Sequence, residues 1–506
     1  MIPGGRALRV AAALLALAAI GCAGAGTPAP GAPRAAAPAA VEVTLLHIND
    51  VYEITPVEGG RAGGLARLAT LRQRLRAENP DTVTLLAGDL FSPSALGTAR
   101  VDGERLAGRQ MVDVLNVLGL DWATFGNHEF DVGQQAFLDR LGESRFRWVS
   151  GNVTAADGAA LPGVVPSAVL TFGGPTGRPL RLGLVAATLP TGAPDWVRVA
   201  DPLPSIAAEA RRLRADVDVL VALTHLDLDQ DMELAATVPE IDLVLGGHEH
   251  ENWQVRRGSD FTPVAKADAN ARSAWVHRLR LTPATGALEV ASELVPVTPD
   301  LPEDPAVAAA VGRWVETAYA AFRRDGFEPE AAVATLPEPL DGRESAVRNR
   351  STALTELVAA ALRRVTPAAA VAVFNAGSIR IDDVLLPGPL TQYDVIRVLP
   401  FGGQVVEVRM KGSLLARVLA AGEANRGTGG YLHTAGSAGP WEPEAVYPVA
   451  IADFLLTGRE TGLDFLTRDA PGLEVVGDRG DVRHAVIAEI QARWGGAGPP
   501  SGAGTP

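Results

Sequence analysis

The sequence predicts an α/β protein of two domains, and three observations lead to that prediction. Short apolar runs typical of buried strands alternate with amphipathic helical stretches from residue 41 to about residue 297. A second region of α/β character runs from about 328 to 493. The chain has 506 residues, which is too long for one ordinary hydrophobic core.

The first segment, residues 1–22, has the composition of a signal peptide. Two arginines give a short positive region, an apolar stretch follows over 10–20, and Cys22 is the single cysteine of the chain. The segment resembles a bacterial lipoprotein signal, although Ala19 stands where such signals usually have leucine. The resemblance implies export to the periplasm or cell envelope and a lipid anchor at Cys22. An ordinary secretory signal, in which Cys22 has no role, is the alternative.

The rest of the chain divides by composition into five segments. The helix expected between the two domains has Ala, Val, Trp, Tyr and Phe at helical spacing, follows Pro302 and precedes Gly326. The expected segments are a disordered Pro/Ala linker at 23–40, a first domain at 41–303, a connecting helix at 304–327, a second domain at 328–494 and a disordered tail at 495–506.

The elements of the first domain place polar residues at the ends of apolar runs. Helices are expected at 65–78, 104–118 and 205–215. The carboxyl ends of strands in an open α/β sheet border the crevice where ligands bind, so residues at these ends are expected to converge. The runs and the residues that end them are 41–48 before Asp50, 82–86 before Asp89, 122–125 before Asn127 and His128, 217–223 before His225, and 241–245 before His248 and His250.

The charge of the chain limits the class of partner. Acidic residues outnumber basic residues by 59 to 45, giving a formal net charge of -14 at pH 7. That balance argues against binding a nucleic acid polymer through a general basic field. Membrane contact is expected only through a lipid at Cys22, and the chain is expected to be a monomer.

The residues at the strand ends are of the types that bind a pair of divalent cations. A carboxylate can bridge two metals, neutral imidazoles supply nitrogen ligands, and an amide oxygen adds a ligand without charge. Two such cations, zinc, manganese or others, suit phosphate ester hydrolysis because they activate water and neutralise phosphoryl oxygens. The predicted ligands are Asp50, Asp89, Asn127, His225, His248 and His250.

The order of these motifs resembles that of the calcineurin-like metallophosphoesterases over about 41–297. The resemblance implies a four-layer α/β/β/α sandwich for the first domain, joined by a helix to a second α/β domain. It implies that Asp89 bridges the metals, that Asn127, His225 and His248 bind one of them, and that Asp50 and His250 bind the other. His128 and Asp131 match the catalytic pair, in which an imidazolium held by a carboxylate stabilises the transition state.

One position departs from that family. The first motif is usually Asp-any-His, whereas this chain has Tyr52 two residues after Asp50. Tyr52 could bind as a phenolate, which favours a highly charged cation such as ferric iron; water could fill the position; or the metal could bind weakly. His47 lies before the strand end and is not expected to replace the missing imidazole.

The second domain resembles the C-terminal domain of the bacterial 5'-nucleotidase and nucleotide-sugar hydrolase family over roughly 328–470. The resemblance rests on Phe374-Asn375-Ala376-Gly377-Ser378-Ile379-Arg380, Leu399-Pro400-Phe401-Gly402-Gly403 and Ala452-Asp453-Phe454. It implies that Arg343, Arg348 and Arg380 hold anionic groups and that Phe401 and Phe454 stack on the base. Arg343 is offset by about one position. Gly403 and Glu460 stand where the family usually has Asn and Asp in contact with the base.

The sequence thus predicts an exported, metal-dependent phosphoesterase that hydrolyses nucleotides. Two alternatives stay open at this point. One is a thiosulfohydrolase, because a branch of the family with that chemistry shares the two-domain plan. The other is a surface protein that binds nucleotide or metal without catalysis, for which Tyr52 and the altered second domain are the motivation.

Overall fold

The fold is described from a computed structural model that covers residues 40–173, 179–282 and 285–495. The predicted signal segment with Cys22, the predicted linker except residue 40, and the predicted tail except residue 495 lie outside these ranges. Among the helices within the ranges, none has both the length and the apolar character needed to cross a bilayer.

Strands and helices of the first half alternate along the chain. The strands are β1 (Val41–Ile48), β2 (Pro56–Val57), β3 (Ala62–Gly63), β4 (Thr82–Ala87), β5 (Arg100–Val101), β6 (Glu104–Arg105), β7 (Trp122–Thr124), β8 (Arg147–Val149), β9 (Val153–Ala155), β10 (Val164–Val165), β11 (Ser167–Phe172), β12 (Leu180–Thr188), β13 (Val197–Val199), β14 (Val219–His225), β15 (Leu243–Gly246), β16 (Trp253–Arg257), β17 (Thr262–Lys266), β18 (Ser273–Thr282) and β19 (Ala287–Pro296). The helices are α1 (Leu65–Glu78), α2 (Arg109–Leu118), α3 (Gln134–Glu143), α4 (Pro202–Leu213) and α5 (Leu228–Thr237).

Two sheets pack face to face in this half, with helices on both outer sides. One sheet has the strand order β10-β8-β7-β4-β1-β18-β19 and the other the order β11-β12-β14-β15-β17-β16. Leu45 and Leu184 belong to the core between the sheets, whereas Leu46 packs with α1 and α2 and Leu220 with α4 and α5. Neighbouring side chains on a strand point to opposite faces, so each central strand contributes to two cores. The predicted four-layer α/β/β/α sandwich is confirmed.

Helix α6 (Pro305–Arg324) joins this half to the second. Asp304 caps its N-terminus by accepting a hydrogen bond from the backbone N–H of Val307 at 2.8 Å. The helix packs on α1 and α2, and near its C-terminal end Tyr319 stacks against Tyr393 of the second half with ring centroids 5.0 Å apart. The connecting helix therefore contacts both halves of the molecule.

The second half is a smaller α/β unit around one mixed sheet of order β26-β22-β27-β25-β28. Its strands are β20 (Ala332–Leu336), β21 (Leu340–Asp341), β22 (Val371–Asn375), β23 (Val384–Leu385), β24 (Gly388–Thr391), β25 (Gln404–Lys411), β26 (Leu432–Gly436), β27 (Val446–Ala452) and β28 (Leu473–Asp481). Its helices are α7 (Glu344–Val347), α8 (Ala353–Val365), α9 (Gln392–Val398), α10 (Gly412–Ala424) and α11 (Val482–Trp494). The predicted second α/β domain is confirmed as a fold class.

One sequence-based element is wrong at its start. The helix expected over 104–118 begins only at Arg109, and residues 104 and 105 form β6 instead. Gly108 precedes the helix with a φ of +84°, a left-handed conformation that interrupts helical backbone. The helices expected at 65–78 and 205–215 are present, with ends within three residues of the prediction.

Candidate metal centre

The carboxyl ends of strands from both sheets meet at one edge of the sandwich. Asp50 and Asp89 follow β1 and β4 of the first sheet, and His225 ends β14 of the second sheet. Their ligand-type atoms all lie within 4.8 Å of one another, and all three side chains are buried. The Nε2 atom of His225 lies 3.3 Å from Oδ2 of Asp89 and 3.9 Å from Oδ1 of Asp50.

The backbone at these strand ends is held in an uncommon conformation. Asp50, Asp89, His248 and His250 have φ values of 52°, 59°, 91° and 62°. Non-glycine residues adopt this left-handed region at a cost, and such residues concentrate at functional sites. The backbone of these turns therefore fixes the position and direction from which each of the four side chains enters the site.

Glycines beside these residues permit the close approach. A Cβ atom on Gly126 would lie 2.0 Å from Oδ1 of Asp89, and one on Gly247 would lie 2.3 Å from the carbonyl oxygen of Ala87. No side chain fits at such distances, so the two glycines are required by the packing of the site and not only by turn geometry.

Two buried polar atoms point to a bound cation. His225 donates through Nδ1 to the carbonyl oxygen of Ala87 at 2.8 Å, which leaves Nε2 as its free ring nitrogen. Among the described residues, neither this Nε2 nor the buried Oδ1 of Asn127 has a hydrogen-bond partner. Buried polar atoms are normally satisfied, and a cation would satisfy both of these.

The charges of the cluster fit the same interpretation. Although burial opposes it, Asp89 and Asp50 raise the pKa of His225 to about 10. Burial would raise the pKa of Asp50, but His225 and His250 bring it well below its usual range. The imidazoles thus supply the positive charge that two buried carboxylates need, and a divalent cation supplies the same charge when it displaces their protons. The donor set of carboxylates, imidazoles and an amide fits divalent metal ions.

His248 lies at the rim of the cluster. Its side chain is 31% exposed and its Nε2 is 3.3 Å from Oδ1 of Asp227, a residue that the sequence did not single out. Its backbone N–H donates to Oδ2 of Asp50 at 2.9 Å. His248 therefore orients Asp50 through its main chain, while its ring lies beside that of His225, with centroids 5.3 Å apart, and its Nε2 pairs with Asp227.

His250 connects the cluster to the second half of the molecule. Its Nε2 is 3.4 Å from Oδ1 of Asp50, and its Nδ1 bonds to Oδ2 of Asp382 at 2.5 Å. Burial lowers the pKa of His250, but Asp382 and Asp50 together raise it well above the usual value. Asp382 also accepts a hydrogen bond from the backbone N–H of Glu344 at 2.7 Å. A second contact within the second half therefore holds its carboxylate in place.

A second contact between the halves lies next to the first. Glu53, three residues after Asp50, accepts a hydrogen bond from the hydroxyl of Tyr393 at 3.4 Å and lies 3.7 Å from Nε of Arg397. All three side chains are buried or nearly so. The second half therefore contacts the loop that follows β1 at Glu53, the residue after Tyr52.

Tyr52 lies inside the cluster instead of pointing away from it. Its hydroxyl oxygen is 3.0 Å from Oδ2 of Asp89, 3.2 Å from Oδ1 of Asp50 and 3.0 Å from Nε2 of His250. Burial, followed by the charges of Asp89 and Asp50, raises the pKa of Tyr52 well above its usual value. The ring is 6% exposed. His47, by contrast, is buried against His277 with ring centroids 6.1 Å apart and bonds to the carbonyl oxygen of Gly246.

The predicted catalytic pair is also brought together. Nδ1 of His128 bonds to Oδ2 of Asp131 at 2.7 Å, and the backbone N–H of His128 donates to Oδ1 of Asp89 at 2.8 Å. Burial opposes protonation, but Asp89 and Asp131 raise the pKa of His128. A protonated, partly exposed imidazole therefore lies one residue from Asn127.

Two residues that position the site were not identified from the sequence. Glu129 is fully buried and accepts backbone N–H groups of Asp89, Leu90 and Phe91 at 2.9, 2.6 and 3.2 Å, and also that of Gly126. Burial, together with Asp89, raises the pKa of Glu129 to about 7. The sequence signal was its place within the Asn-His-Glu motif, where a carboxylate can tie one turn to the next.

Lys266 is the second such residue, and it is fully buried. Its ammonium donates to the carbonyl oxygens of Leu226 and Gly247 at 2.6 and 2.8 Å, lies 2.9 Å from Oδ2 of Asp231, and pairs with Glu249. Glu249 separates His248 from His250 in the sequence. The lysine thereby fixes the turn that carries both histidines, and its burial among acidic partners could not be read from the sequence.

The predicted substrate-contacting residues of the second half are only partly assembled. Arg380 lies over the ring of Phe401 with its guanidinium carbon 5.6 Å from the centroid, and it is 3.8 Å from Oε1 of Glu344, which also pairs with Arg348. Arg343 instead makes a two-pronged ion pair with Asp341 at 2.9 Å for each bond and is 53% exposed. Arg343 is thus paired with Asp341, two residues away, and not grouped with Arg348 and Arg380.

Both predicted stacking rings are open to solvent. Phe401 is 41% exposed and Phe454 is 42% exposed. Phe401 lines a cavity of about 670 Å³ together with Asp131 from the first half, whereas Phe454, His128 and the predicted metal ligands do not line it. Gly403 has a φ of +105°, and a Cβ there would lie 2.6 Å from Oδ1 of Asp453, which explains the glycine.

Comparison with known proteins gives matches over both halves. Residues 43–252 match the family model for calcineurin-like phosphoesterases, and residues 332–445 match the model for the 5'-nucleotidase C-terminal domain. The 5'-nucleotidase of Mus musculus is 26% identical over 427 residues, which cover 75% of this chain and 71% of that protein.

Solved structures share the whole two-domain fold. A 5'-nucleotidase precursor from Thermus thermophilus superposes with a TM-score of 0.73 at 23% identity, over 90% of this chain and 97% of its own. The sulfate thiohydrolase SoxB of the same species superposes with a TM-score of 0.66 at 16% identity, over 89% and 94% of the two chains.

The bond between Asp382 and His250 generates a testable prediction. A carboxylate on the far nitrogen of a ligating histidine fixes its tautomer and orientation, and losing such a partner typically costs about 10–100-fold in metal affinity. Asp382→Ala is expected to weaken zinc binding by that factor, and Asp382→Asn, which keeps an acceptor without the charge, by less. Zinc titration of chelator-treated protein measures both.

The matched control is Asp464→Ala, which removes an exposed carboxylate from the same half of the chain. Its zinc affinity is expected to equal that of the unaltered protein. Equal affinities in Asp382→Ala and Asp464→Ala would mean that the second half does not take part in the metal centre.

Proposed function

We propose that this chain, which belongs to the 5'-nucleotidase family of calcineurin-like metallophosphoesterases, is an exported enzyme that releases phosphate from nucleoside monophosphates with two bound cations. Family membership makes it a metal-dependent phosphoric monoester hydrolase. The number and identity of the cations, the nucleotide substrate and the location are the parts proposed here.

One observation carries the proposal: buried carboxylates and imidazoles converge beside an imidazole that is already paired with a carboxylate. Asp50, Asp89 and His225 form the convergent group, and His128 with Asp131 forms the pair. The free Nε2 of His225 and the free Oδ1 of Asn127 supply further ligand atoms. In this assignment Asp89 bridges, Asn127, His225 and His248 hold one cation, and Asp50 and His250 hold the other.

The chemistry divides between the cations and the side chains. When bound, the cations supply an activated water and neutralise phosphoryl oxygens. His128, kept protonated by Asp89 and Asp131, donates a hydrogen bond to the phosphoryl group and a proton to the leaving oxygen. Asp131 fixes the ring so that Nε2 is the nitrogen that faces the substrate.

The second half supplies the groups that hold the nucleotide. Arg380 and Arg348 offer guanidinium groups suited to phosphate, and Phe401 and Phe454 offer exposed rings suited to a base. Phe401 and Asp131 line the same cavity, so a ring suited to a base lies near the carboxylate that holds His128. Arg343 joins this set only if it exchanges Asp341 for the substrate.

Location at the cell envelope forms part of the proposal, and the reason is the segment around Cys22. A chain with a lipid on Cys22 partitions into the membrane fraction although the full sequence carries a net charge of -14. Cys22→Ser is expected to move the protein from the membrane fraction to the soluble fraction of the envelope, as followed by fractionation and mass spectrometry of the N-terminus. A Cys22→Ser protein that stays with the membrane, or an unlipidated native N-terminus, would contradict the anchor.

The central prediction concerns catalysis by His128. His128→Ala is expected to lower kcat for AMP by about 10²–10⁴-fold, the usual contribution of a positioned acid or base. Chelator treatment of the unaltered protein is expected to abolish phosphate release, and readdition of metal ions, with zinc, manganese and iron compared, to restore it. The assay is colorimetric phosphate release at saturating AMP.

His484→Ala is the matched control, because His484 is an exposed histidine that stacks on Phe327 away from the cluster. It is expected to keep full activity. Metal-loaded protein that is inert on every phosphate ester would reject the proposal. Cleavage of a thiosulfate ester under the same conditions would then favour the thiosulfohydrolase, and inertness without bound metal would favour a binding protein.

A further prediction separates nucleotides from other phosphate esters. Phe401→Ala is expected to raise KM for AMP about two- to tenfold, the loss of one aromatic stacking contact, and to leave KM for ribose 5-phosphate nearly unchanged. Phe261→Ala, which removes a ring that is 67% exposed in the first half, serves as the control and is expected to change neither value. Equal KM changes for both substrates would show that Phe401 does not contact a base.

A further inference from the structure

The position of Tyr52 carries an inference about which cation the centre holds. Its hydroxyl oxygen lies 3.0 to 3.2 Å from one atom each of Asp50, Asp89 and His250. Those are the ligand atoms through which the second cation of the proposed pair is held. The phenol is buried, at 6% exposure, so it is directed into the cluster by the packing of its ring.

Hydrogen bonding alone does not account for these three contacts. A phenol has one proton to donate, and ionised carboxylates only accept. Tyr52 can donate to Asp50 or to Asp89 and can accept from His250, which leaves one oxygen-to-oxygen contact near 3 Å without a proton. Without a metal, His225 and His250 supply the positive charge that such a buried contact needs, and a cation bound between the oxygens would supply it in their place.

The separations match those of atoms that share one metal ion. Adjacent ligands at about 2.0–2.2 Å from a cation lie about 2.8–3.6 Å from each other in octahedral or tetrahedral arrangements. The hydroxyl of Tyr52 meets that condition with all three partners, and Nε2 of His250 meets it with Oδ1 of Asp50 at 3.4 Å. Four of the distances among these four donor atoms are therefore those expected of ligands of one metal ion.

We infer that Tyr52 is a phenolate ligand of the cation held by Asp50, Asp89 and His250, and that this cation is trivalent, with ferric iron as the chemical class. The inference rests on the metal centre of the proposed function and specifies one of its two cations. On binding, the phenol O–H bond breaks, its electron pair stays on oxygen as the metal ligand, and the proton leaves to solvent.

Charge balance favours a trivalent ion over a divalent one. In the family pattern this position carries a neutral imidazole, so replacing it by phenolate adds one negative charge to a site with two carboxylates. Glu344 and Asp382 add further negative charge nearby. Because uncompensated charge is costly at a buried site, the cation with one more positive charge is the better match. A phenol among carboxylates also gives up its proton only to a strongly polarising ion.

The test is optical and needs no turnover. Chelator-treated full-length protein is titrated with ferric nitrilotriacetate, and its visible spectrum and bound iron are measured. We expect about one equivalent of tightly bound iron and a visible band from phenolate-to-iron charge transfer. Tyr52→Phe, which removes only the hydroxyl, is expected to lose the band and at least tenfold in iron affinity.

Two further variants serve as controls. Tyr393→Phe removes another buried hydroxyl, bonded to Glu53 and not to the ligand atoms, and is expected to keep the band. Tyr52→His restores the family motif and is expected to bind two zinc ions and to give no band with iron. Thermal denaturation of each protein verifies that it is folded before the titration.

A colourless iron titration of the unaltered protein, or a band that survives in Tyr52→Phe, overturns the inference. AMP hydrolysis is measured in parallel, so the two proposals fail separately. A Tyr52-dependent band without AMP hydrolysis rejects the nucleotidase and keeps the ligand. Full hydrolysis with zinc alone and no band with iron rejects the ligand and keeps the nucleotidase.

Discussion

The structure is organised around two fully buried carboxylates, Asp50 and Asp89, at the place where the two sheets meet. An ionised carboxylate out of water is costly unless it is paired and hydrogen-bonded. Here His225 and His250 provide opposite charge, and backbone N–H groups of His128 and His248 provide hydrogen bonds. The same arrangement leaves ligand atoms that a cation would satisfy.

That requirement explains local features that would otherwise be unfavourable. Four of the surrounding residues adopt left-handed backbone conformations, and Gly126 and Gly247 leave room that no larger residue could share. Glu129 accepts backbone N–H groups from both the Asp89 turn and the turn before Asn127. Lys266 donates to the backbone of the turn that carries His248 and His250. Strain at the turns is thus balanced by buried polar contacts behind them.

The second half of the chain is part of this balance and not a separate attachment. Asp382 bonds to His250, while Tyr393 and Arg397 contact Glu53, so the second half contacts both the loop after β15 and the loop after β1. Arg380 lies close enough to His128 to influence its protonation. Residues of the second half therefore contact or influence the residues that are predicted to bind metal and to act in catalysis.

The sequence by itself determined the α/β class, the connecting helix and the residues at the strand ends, because apolar periodicity and position on a strand are local properties. The four-layer plan of the first half followed from the resemblance of its motifs to a known family. The sequence could not place the start of α2, where the backbone of Gly108 overrides a helical pattern. The sequence also could not show that Arg343 pairs with Asp341 while Arg380 lies over Phe401. Both residues are arginines, and residue type alone does not say which partner each one contacts. Only the tertiary structure decided that Asp382 reaches His250, that Lys266 is buried, and that Tyr52 points into the cluster. Those contacts join residues far apart in the chain or depend on how a ring packs, and burial, not composition, sets their energy.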